Sequence, residues 1–88
     1  MLALHSTKRF EKDYRLMIKR GYDIARLKEV VLTLRIPEKL PPKNRDHELS
    51  GNLTGFRECH IQNDWLLMYK QTETDLYLVR TGTHSDLF

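Results

Sequence analysis

The chain has 88 residues, a length that suits one domain and leaves little room for a second core, and its 40% apolar and 31% charged content marks an ordinary globular sequence rather than a disordered one. The formal net charge is +3, and the first twenty residues carry charges at almost every turn, which excludes a signal peptide's apolar run and a membrane span there. Cys59 is the only cysteine, so no intramolecular disulfide can form; a small buried hydrophobe at this position and a cytoplasmic location are expected.

In chain order, Leu2-Ala3-Leu4 is short and apolar and predicts a strand, with Ser6 or Thr7 capping the helix that follows. That helix is expected from about Lys8 to Arg20. At about 100° per residue, Phe10, Tyr14, Met17 and Ile18 gather on one side while Lys8, Lys12, Arg15 and Lys19 fall on the other. Gly21 ends it. Asp23 caps a second helix in which Ile24, Leu27, Val31 and Leu34 recur at spacings of three and four, with Val30 widening the apolar face. Pro37, Pro41 and Pro42 forbid its continuation and make residues 36–45 an irregular connector.

Past the connector the apolar period shortens to that of strands. Residues 49–55 read as a short strand with a bend, Phe56 to Ile61 as a strand, Gln62-Asn63-Asp64 as a turn, Trp65 to Gln71 as a strand, and Leu76 to Thr81 as the last strand. The expected fold class is therefore α+β, a single domain over residues 1–88. It has an N-terminal strand and two amphipathic helices packed on one face of an antiparallel sheet of about four strands, with the other face free. Alternation puts Phe56, Glu58 and His60 on one face and Arg57, Cys59 and Ile61 on the other. Cys59 and Ile61 suit the core, so Glu58 and His60 point to the open face. In the last strand Leu76, Leu78 and Arg80 share one side, and Gly82 permits a sharp turn that brings His84 back toward the sheet.

Charge divides unevenly: residues 1–45 hold twelve Lys and Arg against five Asp and Glu, and residues 46–88 hold three against seven. A basic half joined to a half bearing histidines and carboxylates suggests that one part grips a polyanion while the other works on it. Three of the four histidines, His47, His60 and His84, lie in the second half with Asp46, Glu58 and Asp64 nearby in sequence. Imidazole, with an ordinary pKa of about 6.5, can take a proton in one step and give one in another near neutral pH. His5 reads as structural. Trp65 suits either the core or a base-stacking role, and Phe88 offers a second aromatic face. The histidines lack the close pairing of a His-Glu-x-x-His metal motif, so neither metal nor cofactor is expected.

Four separated strings carry a family resemblance: Asp46-His47-x-Leu49-x-Gly51, Phe56-Arg57-Glu58-x-His60, Asp64-Trp65-Leu66-Leu67-x-Tyr69 and Arg80-Thr81-Gly82-Thr83-His84-x-x-Leu87-Phe88. Together, and in this order, they resemble the YafQ branch of the RelE/ParE toxin superfamily, over essentially the whole chain. The resemblance implies a RelE-like fold and a metal-independent, ribosome-dependent endoribonuclease that cleaves messenger RNA in the ribosomal A site. It also implies a cognate antitoxin that wraps the toxin, contact with operator DNA only through that antitoxin, and no membrane. By position it implies a site of His47, Glu58, His60, Asp64, His84 and Phe88. Glu58 stands where a well-known relative has Asp, and Phe56 where it has Tyr.

The chemistry such residues suit is attack of a ribose 2′-OH on the adjacent phosphorus with loss of the next nucleotide's 5′-oxygen. His47 or His60 would take the 2′-OH proton and His84 would protonate the leaving oxygen. Asp64 would orient a histidine, Arg80 would hold the phosphate, and Trp65 and Phe88 would shape the substrate site. Lys8, Lys12, Arg15 and Lys19 form a basic stripe suited to docking on ribosomal RNA. Two other classes fit the same scaffold, a non-catalytic ParE-like poison of a protein target and an RNA-binding module without cleavage. The set of histidines speaks against the first.

Overall fold

In the computed structural model, which describes all of residues 1–88, the chain runs β1 (Ala3–Ser6), α1 (Lys8–Lys19), α2 (Ile24–Arg35), β2 (His47–Glu48), β3 (Arg57–Gln62), β4 (Trp65–Gln71), β5 (Asp75–Thr83) and α3 (His84–Leu87). The strands form one sheet in the order β1-β5-β4-β3-β2. Neighbours are antiparallel except β1, which pairs parallel with β5. The α+β architecture is the expected one, but the sheet is mixed and has five strands rather than about four. The fifth strand is β1, which joins the sheet parallel to β5; β2, two residues at His47–Glu48, stands in place of the bent strand expected over residues 49–55, which instead contain a tight 3-10 turn at Gly51–Leu53. Gly51 takes φ +65°, a left-handed conformation that breaks strand pairing there.

Both helices start where side-chain oxygens can satisfy their first backbone donors. Thr7 Oγ1 accepts the Phe10 N–H at 2.9 Å, and Asp23 Oδ1 accepts the Ala25 N–H at 3.1 Å. Phe10 and Met17 of α1 and Leu27, Val30 and Leu34 of α2 are buried against Cys59, Ile61, Trp65, Leu67, Tyr69, Leu76 and Leu78 of the sheet. Ile18 departs from the expectation and is 49% exposed. One residue on from Met17, it is turned by about 100° and lies on the shoulder of the apolar face. Burial pushes the Cys59 thiol far above its ordinary range, in keeping with a packing role.

The ladder between β4 and β5 carries one irregularity. Tyr69 lies opposite Leu78 and Met68 opposite Arg80, so Val79 has no partner on β4. Leu76 and Leu78 therefore join the helix-side core while Arg80 does not share their side, contrary to simple alternation. β1 ends opposite Leu78. Beyond it the Thr7 hydroxyl donates to the Val79 carbonyl at 2.9 Å and α1 runs beside the remainder of β5.

Candidate active site

On the sheet face away from the core, the register lines up two rows. His47 is opposite Glu58, Glu58 opposite Met68 and Met68 opposite Arg80; next to them, His60 is opposite Leu66 and Leu66 opposite Gly82. Paired residues share a face, so His47, Glu58, His60 and Arg80 project to one side. His47 and His60 are diagonal neighbours, with backbones about 8 Å apart. The far ends of the first row, His47 and Arg80, are separated by three strand spacings, about 14 Å. This face is not fully open: Glu58, Leu66 and Met68 are 4%, 0% and 6% exposed. Glu58, expected at an accessible surface, is instead sunk beneath its neighbours.

Two imidazoles are held in the same way. His47 Nδ1 lies 2.8 Å from the Arg45 carbonyl and His60 Nδ1 lies 3.0 Å from the Asn63 carbonyl. A carbonyl can only accept, so in each neutral ring Nδ1 carries the proton and Nε2 keeps its lone pair. The acceptors are presented by unusual backbone, since Arg45 and Asn63 have φ of +46° and +41°. The proline-rich connector thus supports the site: it turns at Pro42–Asn44, and Asn44 Nδ2 donates to the His60 carbonyl at 2.7 Å. His47 Nε2 stands 3.7 Å from Glu58 Oε1, while Glu58 Oε2 is buried without any hydrogen-bond partner.

His84 arrives from the other direction, as the first residue of the single turn α3. Asp64 Oδ1 accepts its backbone N–H at 3.1 Å. His60 and His84 are therefore tied to adjacent residues, Asn63 and Asp64, of one turn. Asp64 thus meets His84 at its backbone and not at its ring. The His84 and Phe88 rings stand 5.2 Å apart, and both residues are exposed.

Arg80 is held by a partner within the chain. Asp13 of α1 accepts from its Nε at 2.8 Å and its Nη2 at 3.1 Å, and also accepts the Thr81 backbone N–H at 3.2 Å. Lys12, Arg15 and Lys19 of the basic stripe join Arg9 and Arg80 around a concavity of about 480 Å³ beside this pair; Lys8 lies outside it. Trp65 is a correction. It is 1% exposed, donates Nε1–H to Thr81 Oγ1 at 2.9 Å and meets Tyr22 edge-on at 5.2 Å, so its ring is part of the core and not free to stack on a base. No three His, Cys, Asp or Glu side chains converge as a metal ion would require.

The family model for the bacterial toxin of type II toxin–antitoxin systems, YafQ, matches residues 2–88. The chain belongs to the YafQ toxin family. It is 42% identical over 81 residues to the mRNA interferase toxin YafQ of Escherichia coli K12, which covers 90% of this chain and 87% of that protein. Its structure superposes on a copper-bound mutant toxin from Helicobacter pylori with a TM-score of 0.95, at 45% identity and 100% coverage of both chains. It is also similar to the toxin of the E. coli DinJ–YafQ toxin–antitoxin complex, with a TM-score of 0.92, 36% identity and coverage of 99% and 97%.

In this YafQ-family chain several residues that support the site do not stand out in the sequence. Asp13 and Arg20 lie on the flank of α1 between its apolar and basic faces, with Arg9 and Leu16, at spacings of three and four. A lone carboxylate among cations on that flank is the available signal. Asp86 receives Arg20 at 2.7 Å. Asp46 accepts the Tyr69 hydroxyl at 2.6 Å and Arg57 Nε at 3.3 Å, which anchors the entry to β2 and hence His47. Burial and that bond raise the Tyr69 phenol well above its ordinary range, so it stays protonated and donates.

Proposed function

We propose that this YafQ-family endoribonuclease cuts messenger RNA in the ribosomal A site by attack of a ribose 2′-OH on the adjacent phosphorus. A cyclic phosphate forms and the 5′-oxygen of the next nucleotide departs with a proton. The observation that carries this reading is the pair of imidazoles, His47 and His60, whose Nδ1 atoms are occupied by carbonyls and whose Nε2 atoms are left as proton acceptors on one sheet face with Arg80. His47 or His60 takes the 2′-OH proton. A carboxylate 3.7 Å from His47 Nε2 attracts the positive charge that this ring acquires on doing so. His84, at the end of the sheet where His60 lies, protonates the leaving oxygen. Arg80 spends two of its five donors on Asp13 and directs the rest to the phosphoryl oxygens. Phe88 offers a ring beside His84 for a base to stack on.

Docking on ribosomal RNA falls to Lys8, Lys12, Arg15 and Lys19. An antitoxin that covers the site neutralises the toxin, as the E. coli relative's solved complex with DinJ suggests by analogy, and operator DNA is met only through that antitoxin. The site of action is the cytoplasm. Primer extension on a transcript under translation tests the reading. Breaks within the reading frame should need both the protein and ribosomes. Equal cutting of the naked transcript would remove the ribosome from the mechanism, and growth arrest with intact mRNA would favour a protein target.

A further inference from the structure

The last helical turn cannot hold itself. α3 has four residues, and an isolated helix of that length does not recover the cost of fixing its first turn. Yet it carries His84 and leads to Phe88. Its restraints concentrate on Asp86. Oδ2 accepts the Thr83 backbone N–H at 2.8 Å and Arg20 Nη1 at 2.7 Å, Oδ1 accepts Arg20 Nη2 at 3.2 Å, and the Thr83 hydroxyl accepts the Asp86 N–H at 3.3 Å. Arg20 is the residue that closes α1, so this pair ties the end of the long helix to the turn bearing His84. Gly82 is part of the same fitting. A Cβ there would stand 2.9 Å from Asp86 Cβ, so only glycine lets Asp86 settle this close to the strand.

We propose that Arg20 and Asp86 are positioning residues for cleavage: their two-point ion pair, seated on Gly82, holds the α3 turn so that His84 is presented at the end of the sheet where His60 lies. This rests on the proton-donating role proposed for His84. The side chains of Arg20 and Asp86 are 39% and 25% exposed, so solvent screens the pair, its contribution to global stability is modest and its loss should leave the fold intact. Its effect is on where one imidazole sits, and a displacement of about 1 Å can cost about 10²-fold in rate.

The test uses the full chain, ribosomes and a defined message. In single-turnover cleavage, Asp86→Ala and Arg20→Ala should each lower the rate at saturating ribosomes by about 10²-fold while leaving half-saturation unchanged. The double variant should be no worse than either single one, and Asp86→Ala added to His84→Ala should cost nothing more. Hydrogen exchange reads the latch without activity. The Phe88 N–H, bonded to the His84 carbonyl at 2.9 Å, should exchange faster in both single variants while β4 amides keep their protection. Unchanged exchange at Phe88, or a loss that multiplies with His84→Ala, would overturn the proposal. A rate untouched by His84→Ala would instead sink the role of His84, with the exchange experiment still deciding whether the pair holds the turn.

Discussion

Asp13 and Arg80, 67 residues apart in sequence, form a two-point ion pair in which one carboxylate also accepts the Thr81 backbone N–H. Asp13 is 8% exposed, so its charge is compensated by these three donors rather than by water. Asp13→Ala should therefore lower unfolding stability by about 1.5–3 kcal/mol and free the Arg80 guanidinium to rotate. Urea titration checks the first effect; a midpoint equal to that of the parent chain would show that the carboxylate holds nothing.

The three imidazoles separate chemistry from folding. His47 and His84 are exposed and His60 is half-buried, so alanine at His47 or His84 should change stability by less than about 0.5 kcal/mol. Cleavage on the ribosome should fall by about 10²–10⁴-fold for whichever rings transfer protons. Thermal melts run beside single-turnover assays decide it. Three variants that fold, bind ribosomes and cut at the parent rate would leave the acid–base scheme without residues.

Glu58 is the reverse case, a residue whose present chemistry works against stability. With Oε2 buried and unpartnered, the carboxylate sacrifices about 1–3 kcal/mol of solvation. Glu58→Gln keeps the shape and removes the charge. We expect stability equal to or above that of the parent together with slower cleavage, because His47 loses its nearby anion. A variant that is less stable and fully active would contradict both halves.

Acid should loosen the molecule through Asp86 and Asp75. Arg20 chiefly holds the Asp86 carboxyl below the ordinary carboxylate range, and Thr74 and then His5 do the same for Asp75. Unfolded chains take up these protons near pH 3.9, whereas the folded protein resists until lower pH. Between those points the unfolded state binds more protons, so the stability contributed by these groups is complete above about pH 5 and is lost as pH falls. Asp86→Asn should flatten the stability profile below about pH 4. Denaturation midpoints at pH 6, 4 and 3 would reveal an unchanged slope if the pair is idle.

Salt addresses the docking surface. If Lys12, Arg15 and Lys19 each neutralise one RNA phosphate, exchanging all three for alanine should reduce the slope of log affinity against log salt by about 2. Ribosome pelleting across a salt series measures it. Identical slopes for parent and variant would assign the docking to other residues.

The features legible in the sequence are those written locally. The caps at Thr7 and Asp23, the apolar faces of both helices and the alternation that sets His60 opposite Cys59 depend on neighbours within a few positions. What escaped depends on pairing between distant stretches. The two-residue β2 has too few positions to show a period, and the parallel docking of β1 leaves no trace in composition. Trp65 suits either face until its bond to Thr81 places it inside. Glu58 lies on the face that alternation assigns it, but its burial is created by residues packed around it, which no single strand records.

The unpaired Val79 sets the parity of everything downstream in β5. Had the ladder stayed in step, position 80 would have followed Leu76 and Leu78 inward, sending a guanidinium into hydrocarbon and Thr81 out to water. One surplus residue reverses that assignment. The threonine hydroxyl meets the Trp65 indole, the cation faces outward, and the glycine that accommodates Asp86 falls into the same outward file. Pairing Val79 into the ladder would thus dismantle the outward surface while leaving every one of its side chains in the sequence, whereas deleting Val79 would keep Arg80 outward and Thr81 inward.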